Sequence, residues 1–294
     1  MDRRWFPLFA ALAGCTATGN AQVQINNEAT APVDGPKYPD PVEKVTPNTV
    51  AIHCEPSSVG EIRHVRVESE ATLHRPGLTT TVHAVSDMRR KILAVKAKEI
   101  TKVEVTIVAE NVTVSHGKKG KAKVTEGSLV GRTFVITAAG GLQPIVTTDG
   151  GAPVSPFVAA KIAPSFRALG NTTAMCPYPD TPMKVGQALP NTYTGQMHSD
   201  TILTVLKADS QAYLSEIKHP GEEGAIAVFA TSSNERVEFT NGVRLDLQGK
   251  GTMSVRAVDG HVIGWKMNAD VTGDPDGGGQ LSGTLWIVGT ITDD

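Results

Sequence analysis

Aromatic residues are scarce, Phe, Trp and Tyr together making up 5% of the 294 residues. Charge of one sign is missing too, with 28 Lys and Arg against 30 Asp and Glu and a net charge of −2. A chain so close to neutral implies no basic face, which argues against nucleic acid as a partner. The early apolar run, Trp5 to Gly14, has about ten residues, where a membrane-crossing helix needs about twenty. The motifs of common chemistries are absent as well. There is no GxSxG, no HExxH and no glycine loop opening a helix to cradle phosphate. The eight histidines form no HxxxH pair. His53 stands beside Cys54, but no third or fourth ligand follows at zinc spacing. His198-Ser199-Asp200 has the residue types of a triad. Triads, however, assemble from distant positions, and neighbours on one strand point to opposite faces. The expectation is therefore a protein that is not an enzyme, with no catalytic residue, cofactor or metal assigned.

What is present begins at the N-terminus. Arg3 and Arg4 precede the short apolar run, which ends in small residues, the pattern of a secretory signal. Its last three residues and the next one, Leu12-Ala13-Gly14-Cys15, resemble the bacterial lipobox. That resemblance implies cleavage before Cys15, with diacylglycerol on its sulfur and usually an acyl chain on its new amino group. Two or more chains hold a protein stably on a bilayer, each buried methylene contributing about 0.8 kcal/mol. Thr16 in place of Asp leans, by the same resemblance, towards the outer membrane. An alternative cut after Ala21, behind Gly19-Asn20-Ala21, would release a soluble periplasmic protein.

With Cys15 lipidated, two of the three cysteines remain. Cys54 and Cys176 suit a disulfide in an oxidising compartment. Separate buried thiols are the other reading. Residues 15–48 are polar and proline-bearing, too poor in apolar surface to offset their ordering entropy. They read as a flexible tether between a signal peptide over 1–14 and a body over 49–294.

The body is rich in Val, Thr, Gly and Pro, a mix that favours strands and turns. Thr49 to Cys54 reads as a first strand. Glu61 to His74 and Thr79 to Val85 read as a hairpin across Arg75-Pro76-Gly77. Ser86 to Ile100 fits either a short helix or a strand. Val103, Val105 and Ile107 alternate cleanly, and Val112 and Val114 follow with shifted parity, which predicts a bulge. His116 to Lys123 packs four lysines around two glycines. It reads as a solvated hairpin tip that discourages edge pairing, or as a dock for lipid phosphates. Ser155 to Gly170 is the best helix candidate, with a Ser cap, Pro156 in first position, Phe157, Ala160 and Ile162 towards the sheet, and Pro164 as a possible break. The C-terminal part is a β-meander in which Trp265, Met267, Ala269 and Val271 share one face, as do Leu281, Leu285 and Ile287. Asp274 and Asp276 resemble the start of a calcium loop, but the distal Glu is missing. Glu222-Glu223 reads as a solvated turn.

The expected class is mainly β (α+β), as curved antiparallel sheets or a half-barrel with one main helix near 155–169. Two loosely related halves, 49–152 and 183–294, would flank that helix. Ile100 to Ile107, Gly131 to Thr137, Asp149-Gly150-Gly151 with the helix behind it, and Met183 to Gln187 resemble an uncharacterised family of β-rich bacterial lipoproteins, known mainly from myxobacteria. That resemblance implies an envelope lipoprotein and offers no catalytic residue. The expected function is a membrane-anchored module for a hydrophobic ligand or lipid, with a structural lipoprotein holding an envelope protein as the alternative and a hydrolase behind both.

Overall fold

The computed structural model describes residues 48–294 apart from 56, 98, 118–121, 141–142, 167–168, 171–177, 180, 190–192, 198–202, 220–223, 240–243 and 275–279. The N-terminal half of the body contributes β1 (Thr49–Val50), β2 (Ile62–Arg75), β3 (Leu78–Lys96), β4 (Glu99–His116), β5 (Lys123–Glu126), β6 (Thr133–Thr137) and β7 (Ile145–Thr148). A helix, α1 (Pro156–Ile162), and a 3-10 turn (Ala163–Phe166) follow. Then come β8 (Met183–Lys184), β9 (Tyr193–Met197), β10 (Leu203–Lys218), β11 (Ile226–Phe239), β12 (Arg244–Arg256), β13 (Val262–Asp274) and β14 (Leu281–Asp293).

One 12-stranded antiparallel sheet runs β7-β6-β4-β3-β2-β14-β13-β12-β11-β10-β9, with β5 added on β4. It is curved and does not close into a barrel. The chain winds outward from β2 to one edge and resumes at the other edge. It then winds back in until its last strand meets its first long one. β14 pairs with β2 from Asp293 opposite Arg63 to Ser282 opposite His74. β1 and β8 form a separate small pair.

The long alternating segments became strands because period two sorts each of them into a wet and a dry face. Val65, Val67, Ala71 and Leu73 are buried on β2, as are Ala269 and Val271 on β13 and Leu281, Leu285 and Ile287 on β14. The outward row of the same strands is mostly polar, with exposed Lys266, Asn268, Asp270, Thr272, Ser282, Thr284 and Thr290, and carries Trp286 and Val288 among them. Ser86 to Lys96 continues β3, which settles the helix-or-strand alternative in favour of strand. The parity shift in β4 is a bulge: Asp87 pairs with Ala109 and Met88 with Ile107, and Val108 is left out of the ladder.

Ser155 caps α1, its hydroxyl accepting from the Val158 N–H at 3.4 Å. The α-helix is shorter than the sequence suggests. It ends at Ile162 and passes into the 3-10 turn that contains Pro164, whose missing N–H cannot continue the ladder. Ile162 packs on the sheet as expected, but Phe157 is 70% exposed and Val158 makes the contact in its place. The first strand is also shorter, only Thr49–Val50, because its ladder partner is the two-residue β8.

Glycines on the buried face set the curve. A Cβ at Gly251 would run into the Lys266 carbonyl oxygen, one at Gly273 into that of Arg244, and one at Gly283 into that of Thr72. At each point the neighbouring backbone leans over the buried face, which is therefore the inside of the bend. The Trp265 ring lies across Gly289 in the space a side chain would need. Glycines of this kind let a sheet coil where a flat one would not. Gly251→Ala should cost about 1–3 kcal/mol in urea unfolding, the usual penalty for overpacking. Gly150→Ala, where the nearest atom to the new methyl is Thr148 Oγ1 at 3.9 Å, should stay within about 0.5 kcal/mol.

Candidate functional site

The inner face holds three apolar groups. On one flank Ile92, Val103, Val105, Phe134, Ile136 and Val146 pack with Val158, Ile162 and Phe166 of the helical segment. On the other flank Leu214, Ala227, Phe229 and Val255 pack with Val50, Ile52, Tyr178 and Met183. Tyr178 stacks on Phe229 with centroids 5.7 Å apart, and burial pushes its hydroxyl pKa up. Between the flanks lies the stripe of Val65, Val67, Ala71, Leu73, Leu245, Leu247, Val271, Leu285 and Ile287, all of it buried at 6% exposure or less. Along β2 it runs from Val65 to Leu73, about 26 Å at about 3.3 Å per residue.

Polar groups interrupt this face at few places. Ser69 lies buried in the stripe. Glu235, opposite Leu247 on β12, has its carboxyl pKa raised by burial. Glu110 pairs with Lys161 of α1, which ties the helix to β4. The Trp265 Nε1 is enclosed without a hydrogen-bond partner.

A charged rim closes one end of the stripe, where β2 and β13 begin and β12 and β14 end. Arg63 pairs with Glu61 and donates to Ser57 Oγ at 2.9 Å and to His261 Nε2 at 2.7 Å. Arg256 donates to Asp259 Oδ2 at 2.7 Å and to Asp293 Oδ2 at 2.7 Å. His261 Nδ1 lies 3.3 Å from Asp259 Oδ2 and also 3.2 Å from the Arg63 and 3.4 Å from the Arg256 guanidinium nitrogens. Burial and the neighbouring Arg63 guanidinium lower the His261 pKa, outweighing Asp259 and Glu61. Burial alone would raise the Asp259 carboxyl, but the Arg256 hydrogen bond and the His261 backbone N–H outweigh it and hold it low.

Glu61, His261 and Asp293 can bring one donor atom each to within 4.8 Å of one another, a spacing that suits a metal. Here a guanidinium takes that role: Arg63 meets Glu61, His261 and, with Nε 3.7 Å from Oδ1, Asp293. The donor lone pairs are thus already committed to a cation of the chain itself.

On β3 Arg90 faces Arg63 of β2 on one side and Val105 of β4 on the other, all on the inner face. Its guanidinium lies 4.7 Å above the Phe166 ring, and its Nε is enclosed with no hydrogen-bond partner. Burial, and then the like charge of Arg63, bring its pKa down to about 10.

The residues singled out in the sequence mostly lie elsewhere. Cys15, Cys176, the His198-Ser199-Asp200 run, Glu222-Glu223, Asp276 and Lys118 to Lys121 are outside the described residues. Asp274 ends β13. His116 and Lys123 bracket the turn between β4 and β5, as a hairpin tip requires. Cys54 is disulfide-bonded and packs against the flank of Phe229 and Val255.

No family model and no curated protein matches the chain. Among solved structures it is similar to lipovitellin, in a structure titled for lipid–protein interactions, with 6% identity and a TM-score of 0.42 over 80% of this chain. The chain spans 25% of that protein's length. It is also similar to DynF of the dynemicin biosynthesis pathway of Micromonospora chersina, at 11% identity and a TM-score of 0.23, covering 86% of this chain and 92% of that one. An outer-membrane channel of Pseudomonas putida F1 matches at 8% identity and a TM-score of 0.22, over 81% and 97% of the two chains. At such overlap the likeness is that of large antiparallel sheets in general.

The rim gives a signed pH dependence. The folded pKa of His261 lies below 6.5, so the unfolded chain binds more protons as pH falls through that value, and stability falls with it. Tm should therefore drop on acidification below about pH 6.5, and His261→Gln should flatten that limb while leaving the one below pH 4 that Asp259 contributes. For the disulfide, proteolysis of the exported, non-reduced chain should release one cross-linked peptide pair holding Cys54 and Cys176. A pair holding Cys54 and Cys15 would overturn both this bridge and the acylation of Cys15.

Proposed function

We propose that the protein is a lipid-anchored binding module of the bacterial envelope that holds a lipid or another hydrophobic small molecule on the inside of its curved sheet. What supports this is the continuous apolar inner face of β2, β14, β13 and β12, shielded from water along its length. The mostly polar outer row of the same strands, Trp286 and Val288 apart, is suited to water. It is the reverse of the apolar outer band by which β-barrels sit in lipid. Burial of ligand methylenes on the stripe would supply about 0.8 kcal/mol each. The anchor is Cys15, the tether is 15–48, and the face of residence is the outer membrane. The solved structures matched above overlap too loosely to add to this.

A second reading, a structural lipoprotein that holds an envelope protein, has its own observation. Ile145 on the edge strand β7 is 57% exposed and Phe157 on the adjoining helix is 70% exposed. The outer edge of β7 carries an isolated bridge from Thr147 to Pro153, and exposed apolar side chains beside a short edge strand suit docking of a partner.

The test is mass. The whole exported chain, extracted in mild detergent, should show a native mass above its denatured mass by a discrete lipid-sized increment. The denatured mass itself reports cleavage and acylation at Cys15. Equal native and denatured masses, with no gain after incubation with envelope lipids, would remove the ligand reading and leave the edge of β7 as the place to seek a partner.

A further inference from the structure

We infer that the rim is an acid-opened latch: neutral His261 holds Arg63 against the segment Ser57 to Glu61, and protonation of its ring drives Arg63 off and frees that segment. The latch works at the end of the inner face and is independent of what that face holds.

The chain crosses the rim before it enters β2, and its two parts are fastened differently. The first is tied to the turn between β12 and β13. His53 N–H donates to the Ala257 carbonyl at 2.8 Å and Glu55 N–H to the Asp259 carbonyl at 3.1 Å. Cys54, which is disulfide-bonded, packs on Gly260 of that turn, with its sulfur 3.1 Å from where a Cβ would sit. The second part, Ser57 to Glu61, depends on Arg63. The guanidinium donates to Ser57 Oγ at 2.9 Å and pairs with Glu61. Glu61 in turn accepts from Ser58 N–H at 3.0 Å, and Gly60 N–H donates to the Ile92 carbonyl at 2.9 Å. The one apolar side chain of this part longer than a glycine's, Val59, is 64% exposed. With no apolar burial of its own, the segment belongs to the low-stability end of the structure.

Arg63 is itself held by a ring that can lose its acceptor. Its Nη2 lies 2.7 Å from His261 Nε2 and 3.2 Å from Nδ1, and Arg256 Nη2 lies 3.4 Å from Nδ1. A guanidinium only donates, so it needs a ring lone pair, which neutral imidazole has and imidazolium lacks. Protonation therefore sets N–H against N–H and adds a positive charge beside two others. The groups facing the ring are Glu61 and Arg63 on the β2 side, Arg256 on β12, Asp259 in the turn and Asp293 on β14. Arg90 of β3 lies next to Arg63 and adds a further positive charge. The carboxylates are already engaged, Glu61 by Arg63, Asp259 by Arg256, and Asp293 by both. Burial and Arg63 lower the ring pKa in the closed state. Opening returns it towards its ordinary 6.5, so the open state binds the proton more tightly and acid favours it.

Amide hydrogen exchange on the exported whole chain, corrected for the intrinsic effect of pH, tests this. Between about pH 7.5 and about pH 5, protection at Ser58, Gly60 and Glu61 should fall by about tenfold or more. Protection along the β2–β14 ladder, at Val67 and Ser69 opposite Gly289 and Ile287, should hold. His261→Gln should keep the segment closed at both pH values, because its amide oxygen accepts without titrating. His261→Lys should leave it open already at the higher pH. His64→Gln is the control. That ring pairs with Asp294 at 3.0 Å on the outer face, and its loss should leave the response unchanged.

Unchanged protection of Ser58, Gly60 and Glu61 in the native protein would overturn the latch, and this comparison needs no variant. An equal loss in His261→Gln would overturn it too and assign the response to the rim carboxylates. Loss of protection along the ladder in step with the segment would make the rim a support of global stability and not a latch.

Discussion

The structure depends on the pairing of β2 with β14. These strands are distant in sequence, yet they lie side by side from Arg63–Asp293 to His74–Ser282. Without that ladder the chain would be two separate meanders, each with an additional long open edge and half an inner face. With it, the stripe of Val65, Val67, Leu285 and Ile287 is continuous, and the rim can form, because Arg63 comes from one half and Arg256, His261 and Asp293 from the other. Non-local pairing of this kind has a large closure cost. The apolar residues it brings face to face offset that cost, and the rim's ion pairs fix its register.

The inner face has to satisfy two demands. It must be apolar enough to stay dry, and it must bend. Glycines on that face meet the second demand by letting neighbouring backbone lean inward, but each removes a side chain from the dry surface. Trp265 over Gly289 and Met267 beside Gly249, with its sulfur 3.0 Å from where a Cβ would sit, refill part of that loss. Large side chains therefore sit where the sheet is most bare and keep the buried face filled.

The rim handles charge economically. Its carboxylates are held by guanidinium groups of the chain, so a site with metal spacing serves as a closure of the sheet's end. His261 stays neutral among them because burial and Arg63 oppose its protonation more than Asp259 and Glu61 favour it. Arg90 stands just outside this arrangement, on the same face and next to Arg63, with an aromatic ring in place of a carboxylate.

The sequence alone determined much of the local structure. Period-two alternation marked most of the long strands and the face of β13 that carries Trp265, Met267, Ala269 and Val271. The parity shift located the β4 bulge, Pro76-Gly77 the tight turn between β2 and β3, and Ser155-Pro156 the start of α1. These features are legible because they depend on residues a few positions apart. Tertiary structure alone decided that the first long strand meets the last, that Gly251, Gly273 and Gly283 bend the sheet, and that Phe157 turns outward. It also decided the site. Glu61, Arg63, Arg90, Asp259, His261 and Asp293 show no common spacing in the chain, and Arg90 stood in a segment that fitted helix and strand equally. Convergence of side chains from distant strands leaves no local period to read. It exists only once the registers are set.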